Sequence, residues 1–442
     1  MTTGFLGIDI GLSGARTVVL SPAGKVLASA RLPYATADPT PQALAEAMDR
    51  AVRLALRDTR KVTVAGIAVS AFGPAPILLD QSRRIIGYLP LFAPATGKRP
   101  AMACQDDLEG RLREFRRKAP ERFSKARFIC DVTGYLVSRL VGHIVMDLLT
   151  AADFRKASLP KRIRLPGAAP SLDHAGALNS AAARRLGLPQ GIPVAYGAYD
   201  SAADLAALGF GETTRAAIIV GSTLVMGILT AQPVRDATLR AVPHLGEGWF
   251  SGGWTNCAGS SLILAEQWMR PGPSARSGST PLLLPYFAGE RAPLWSSQAT
   301  GVIAGLTPHT TPEDLRRAFV QGVALSAADI AERLEKEFGR IRRWTVAGGG
   351  TRNSSLMAEL SDALGARLDV IEGADASLGP AVLAARSCGL TIRLPIEKHY
   401  RPRPRKHGVY AQKLQAYRRL GALLAPMMGE IRRVTDERRI PS

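Results

Sequence analysis

Apolar residues along this chain alternate between two spacings. Short runs at residues 5–10, 16–20 and 26–30 are separated by Gly11-Leu-Ser-Gly14 and Ser21-Pro-Ala-Gly24, which predicts strands joined by tight turns. Residues 42–57 then place Leu44, Met48, Val52 and Leu56 on one helical face. A buried strand follows at 62–69, and another at 77–80 after a Gly-Pro break. The second half repeats this grammar. Strands are expected at 216–220, 226–229, 343–347 and 368–371, and helices at 260–269, 312–338, 353–364 and 378–386. Thr311 with Asp314 is an N-cap signal for the helix beginning at Pro312.

The echo predicts two α/β domains with a cleft between them. The boundary is expected near residues 208–211, giving domains 1–208 and 209–442, with the last helix packing back on the first domain. The soft stretch 271–280 reads as a surface loop inside the second half.

The 442 residues are 46% hydrophobic and 21% charged, a folded-protein composition with ample core. No window is long and apolar enough to span a bilayer, and the first ten residues read as a strand rather than a signal peptide. Four scattered cysteines (104, 130, 257 and 388) form no Cys-x-x-Cys pair, which fits a reducing cytoplasm and structural burial. The 57 basic residues exceed the 37 acidic ones, for a net charge of +20. The excess gathers at 111–127, at 401–406 and near Arg432, Arg433, Arg438 and Arg439. These runs lack interleaved aromatics and any zinc-finger or helix-turn-helix spacing, so they read as solvated faces that attract an anionic small molecule. Nucleic acid is not the expected partner.

Three glycine-rich turns change the picture. Asp9-Ile-Gly11-Leu-Ser13-Gly14-Ala-Arg16 closes a strand with a carboxylate suited to hydrated Mg²⁺, glycines that admit phosphate oxygens, and a cation. Gly221-Ser222-Thr223 has the same character, though either turn alone is more often only a turn. Gly348-Gly349-Gly350 stands between a buried strand and a helix; three glycines there make sense where backbone clears a ligand at a helix N-terminus. Asp200, among small residues after an apolar run, is a candidate general base, set against the ordinary role of Asp as strand end or helix cap.

In this order the motifs resemble the FGGY carbohydrate kinases, of the actin/hexokinase-like ATPase superfamily, from Leu6 to about Tyr417. The first turn resembles the family's Asp-x-Gly-Thr-Ser-Gly phosphate loop. Residues 194–203 resemble its Gly-Ala-Gly-Asp-Asn-Ala-Ala segment, and Gly221, Ser222 and Thr223 its second phosphate loop. Residues 285–293 resemble its Pro-Tyr-x-x-Gly-Glu-Arg-x-Pro. Residues 301–321 follow its C-terminal signature, with Phe319 replacing a smaller residue. Gly348 to Gly350 with Asn353 resemble its adenosine loop.

The resemblance implies two ribonuclease H-like domains flanking a deep catalytic cleft. It implies an ATP-dependent kinase acting on a small carbohydrate such as a pentulose, with Asp200 as base. Gly11, Ser13, Arg16, Gly221, Ser222, Thr223, Gly348, Gly349, Gly350 and Asn353 would hold the nucleotide, and Asp9 the Mg²⁺. A cytoplasmic homodimer is expected by family analogy.

One departure lies in the first phosphate turn and the others on the sugar side. Leu12 replaces a threonine and Ser201 an asparagine; Ala71-Phe72-Gly73-Pro74 replaces Gln-Met-His; 91–99 lacks Trp-x-Asp-x-Arg. Loss of hydrogen-bonding groups relaxes recognition. The alternative is a diverged nucleotide-binding homologue with lost or changed specificity.

Overall fold

The computed structural model describes residues 2–36, 39–57, 62–73, 75–89, 108–211, 214–245, 248–269, 279–371 and 378–434. Pro74, the 91–99 stretch, Cys104, residues 271–278 of the expected surface loop, Arg438 and Arg439 lie outside the described residues.

The chain divides into two compact units. The first comprises the residues up to Gly209, a short segment at 243–245, and the helix Leu378–Ser387 with the chain to Pro395. Its sheet is a meander, Thr2–Ile10, Gly14–Leu20 and Val26–Pro33, antiparallel throughout. Val62–Ala71 then pairs parallel to Thr2–Ile10, and Pro193–Ala195 and Ala198–Tyr199 pair parallel to Val62–Ala71. The helix Pro41–Leu56 buries Leu44, Met48 and Val52, and Thr40 caps it by accepting from Ala43 N at 3.2 Å.

The second unit is built the same way. Trp249–Thr255, Leu224–Thr230 and Ala216–Val220 are antiparallel neighbours. Arg343–Ala347 joins Ala216–Val220 in parallel, and Arg367–Ile371 joins Arg343–Ala347. The echo read from the sequence is therefore a repeat of topology. The long helix Pro312–Phe338 starts in the full capping box of Thr311 and Asp314. Phe319 stacks on Phe287 with centroids 5.3 Å apart, so its extra volume is taken up by an aromatic neighbour.

One element departs from the division at 208/209. The helix Leu378–Ser387 follows the second sheet in sequence yet belongs to the first unit. Its Leu378, Ala381, Val382 and Ala384 share a core with Phe5, Val18, Ala202, Ala203 and Ala206. The approach is close: a Cβ on Gly7 would lie 2.1 Å from Ala381 N, and one on Gly379 would lie 2.4 Å from Ala203 O. The later helices Pro404–Leu424 and Met428–Val434 stay with the second unit.

Cys130 and Cys257 are buried as expected, but Cys388 is exposed. It follows the helix that packs on the first sheet and sits at its rim, with Sγ 3.7 Å from Ala65 O. No helix among the described residues is long and apolar enough to cross a membrane.

Candidate functional site

Parallel strands deliver their C-terminal ends to one edge of a sheet, where α/β proteins place ligands. In the first unit three such ends are in register. Asp9 pairs with Ser70, and Ser70 with Ala198; the next row is Ile10, Ala71 and Tyr199. Asp200 follows directly. At ordinary strand spacing, the backbones of Asp9 and Ala198 are about 10 Å apart.

Asp9 is 1% exposed. Its Oδ1 accepts from Ser70 Oγ at 2.8 Å and its Oδ2 from Arg16 Nη1 at 3.1 Å. The turn beyond it is tied by Gly11 N to Gly14 O (3.1 Å), and Tyr34 donates its hydroxyl to Gly11 O at 3.0 Å. Burial, then the charge of Asp9, pushes the Tyr34 phenol well up, so it remains a donor. Ser13 is exposed, and Leu12 beside it shows 52% of its surface.

A kink aims Asp200. Gly197 has φ +76°, and a Cβ there would meet Val69 O at 2.2 Å, so only glycine fits. The chain passes from Pro193–Ala195 through this kink to Ala198–Tyr199 and into the helix Asp200–Ala207. Tyr199, not Asp200, is the N-cap residue. Asp200 Oδ1 accepts from Ser201 N at 2.7 Å. Burial outweighs that bond and pushes the carboxyl up to about 6. Such a group is ionised at neutral pH yet basic enough to accept a proton, the range a general base needs.

The second unit brings two of the predicted turns together. Ile219 pairs with Ala347, so Gly221-Ser222-Thr223 and Gly348-Gly349-Gly350 leave adjacent parallel strands side by side. Gly348 has φ +99°, with Val220 O 2.5 Å from where a Cβ would stand. Gly221 N donates to Thr223 O at 2.8 Å, and Thr351 Oγ1 to Gly348 O at 2.7 Å. Around Gly349 a Cβ would meet nothing within 4 Å. Asn353 is the N-cap of the helix Ser354–Leu364: its Oδ1 accepts from Leu356 N at 2.9 Å.

Three contributors escaped the sequence reading. Ser70 holds Asp9 from a strand 61 residues away. Tyr34 braces the first turn. The helix Gly259–Trp268 docks its start on the second turn, with Gly259 N and Ser260 N donating to Gly221 O and Ser222 O at 3.0 and 3.1 Å. The small pair Gly259-Ser260 opening a helix was the one available signal. Glu290 is gripped in the core by Thr255 Oγ1 (2.8 Å), Asn256 N (3.0 Å), Arg291 N (2.7 Å) and Cys257 Sγ. Among the described residues no three His, Cys, Asp or Glu side chains gather as a metal-holding group.

Residues 216–388 match the model of the FGGY family of carbohydrate kinases, C-terminal domain. The xylulose kinase of Escherichia coli is 26% identical, over 96% of this chain and all of that protein. A glycerol kinase of Alkalilimnicola ehrlichii is 31% identical over 56% of this chain and 52% of its own length. The crystal structures of a ligand-bound xylulose kinase and of a gluconate kinase, both from Lactobacillus acidophilus, superpose with TM-scores of 0.84 at 20% identity. They cover 97% and 98% of this chain and the whole of each neighbour, so the fold is shared over nearly the whole chain.

Proposed function

Because the chain belongs to the FGGY family of carbohydrate kinases, we propose that it transfers the γ-phosphate of ATP to a hydroxyl of a small sugar or polyol, a ketose such as a pentulose first among them. The observation that carries the reading is Asp200, half-buried at a strand edge with its carboxyl raised to about 6.

Asp200 takes the proton from the acceptor hydroxyl as its oxygen attacks phosphorus, which makes an alkoxide-like nucleophile without a free alkoxide. On the second unit, the backbone of Gly221 to Thr223 and Gly348 to Gly350 cradles the nucleotide, with Ser222 exposed for a phosphate. Asn353 contributes by fixing the helix start behind the third turn. On the first unit, Gly11, Ser13 and Arg16 form a turn whose open backbone and positive charge suit a phosphate.

Mg²⁺ fits Asp9. A single buried carboxylate held by Ser70 and Arg16 suits an ion that keeps most of its waters and is shared with phosphates. Bound there, Mg²⁺ would neutralise phosphate charge. The proposal includes a homodimer, which sedimentation tests.

The deciding experiment is ADP release with xylulose, other ketoses, glycerol and gluconate as acceptors. The expected result is turnover on at least one. Asp200→Asn should then lower kcat at least a hundredfold while ATP still binds; near-normal turnover would remove the role of Asp200. A second reading has its own observation. Leu12 sets an exposed apolar side chain in the phosphate turn, which favours a homologue that binds nucleotide without phosphorylating sugars. Intact ATP binding with no turnover on any acceptor would support it.

A further inference from the structure

Two buried aspartates flank the segment that presents Asp200. The strand Phe128–Asp131 runs into the helix Val132–Val141, which Asp131 caps by accepting from Gly134 N at 2.9 Å. The strand Met146–Asp147 runs into the helix Leu148–Arg155, which Asp147 caps by accepting from Leu149 N at 2.9 Å and Thr150 N at 3.2 Å. Both residues are 1% exposed. In each, Oδ1 makes the cap and Oδ2 is buried with no close hydrogen-bond partner, while the hydroxyls of Thr133 and Thr150 lower the two carboxyls against the effect of burial.

The two caps are close. A Cβ on Gly134 would lie 2.9 Å from Asp131 Oδ1 and 2.3 Å from Val145 O, so the turn Asp131 caps rests on the chain two residues before Asp147. The same turn touches the segment leading to the base: Thr133 donates to Ala198 O at 3.5 Å, and its Cγ2 packs at Gly197. Gly197 N in turn donates to Ser171 O at 3.1 Å.

Cations are engaged elsewhere. Arg139, on the helix capped by Asp131, pairs with Asp49, and Lys156 pairs with Asp153. His143, Arg155, Arg164, Asp173 and His174 on neighbouring segments are exposed. The groups that feel the pair from nearby are Cys130, whose thiol burial and Asp131 push up, and Tyr199, whose phenol burial and then the charges of Asp147, Asp153 and Asp200 push up. Two desolvated carboxylates at one place cannot both ionise without large repulsion, whereas a single negative charge is held well by the N–H groups of two helix starts.

We propose that Asp131 and Asp147 form an acid pair that retains one proton at neutral pH, and that this proton holds the two helix starts together and so positions the kinked segment that presents Asp200. They are positioning residues, and that part of the proposal rests on the reading of Asp200 as the base. Loss of the proton sets two like charges facing each other and displaces the turn at Thr133 from Gly197 and Ala198. Burial, then the charge of Asp131, pushes Asp147 up to about 7, and burial raises Asp131. The two titrate as a unit.

The sign of the linkage follows. Unfolded, both carboxyls lose their protons near pH 4. The folded pair keeps one, so its stabilisation is complete below about pH 4 and is lost as pH rises toward about 7. The test compares wild type with Asp147→Asn and Asp131→Asn, which keep the Oδ1 cap acceptor while removing the titrating group. At neutral pH the wild type should show the infrared carbonyl band of a protonated carboxyl, absent in either variant. Its folding equilibrium constant should fall by up to about tenfold more per pH unit between pH 5 and 7 than that of the variants. On an accepted substrate, kcat should decline on the alkaline side in the wild type and hold in Asp147→Asn. The infrared and stability measurements need no turnover, so they stand even if no acceptor is found. Absence of the band with equal pH slopes would overturn the pair. So would wild-type stability that follows Na⁺ or K⁺ at constant ionic strength, since a cation would then replace the proton.

Discussion

At the scale of single residues, what decides the site is how each side chain is desolvated and held. Asp200 is an ordinary carboxyl raised to about 6 by burial. Its folded value lies above the unfolded one, so its share of stability is complete below about pH 4 and fades as pH climbs through about 6. Catalysis runs the other way: kcat/KM should rise with pH through about 6 as the base ionises, and the acid limb should vanish in any residual activity of Asp200→Asn. The third turn offers a cleaner separation of fold from binding. Gly349 has open space around its Cβ position and no positive φ, so Gly349→Ala should leave stability within about 0.5 kcal/mol while weakening nucleotide binding. Gly348→Ala, at φ +99° against Val220 O, should lower stability by about 1–3 kcal/mol. Calorimetry of ATP binding alongside urea unfolding checks both. Much of this was legible: the aspartates and glycines stand where strand patterns end. Ser70 and Tyr34 were not, because nothing local in the chain marks a partner that arrives by strand pairing.

At the scale of elements, periodicity located the sheet strands and long helices named from it because each presents one apolar face to one layer; the elements between Ile85 and Leu186 and the helix Pro404–Leu424 were not read from it. The Thr311–Asp314 capping box is an instance, since both partners of the bond lie within four residues. Long-range packing was less readable. The sequence of Leu378–Ser387 says only that it is an apolar helix; its place against Gly7 and Ala203 is set by two glycines distant in sequence from what they touch. This contact reaches the site, since Ala203 is on the helix that Asp200 begins. Gly379→Ala should lower stability by about 1–3 kcal/mol through overpacking, and should lower kcat more than it raises KM for ATP. Equal kcat in the variant would show that the helix start is not braced from this side. The aspartates 131 and 147 are likewise readable as caps, but their desolvation belongs to the layers around them and not to their own segments.

At the scale of the whole molecule, the charge of +20 was plain from the sequence while its arrangement was not. Several of the arginines are committed to structure: Arg403 to Asp362, Arg418 to Asp329 and Glu332, and Arg333 to Asp236 and Asp329. Others, such as Arg113, Arg116 and Arg117, are exposed. The repeat of topology in the two sheets was visible only as rhythm, since strand order depends on pairing. The placement of Leu378–Ser387 in the first unit also bears on how the protein is made. A ribosome that has released residues 1–209 has not yet supplied the helix that covers Phe5, Val18 and Ala203. The first half must wait, with that surface open, until some 170 further residues have been synthesised. A fragment ending at Gly209 should therefore be protease-sensitive and prone to aggregate, and a circular permutant that fuses 374–395 ahead of Thr2 should protect it. If the bare fragment resists limited proteolysis as well as the permutant does, the late helix is dispensable for closing the first core, and the nascent chain has no such interval of exposure.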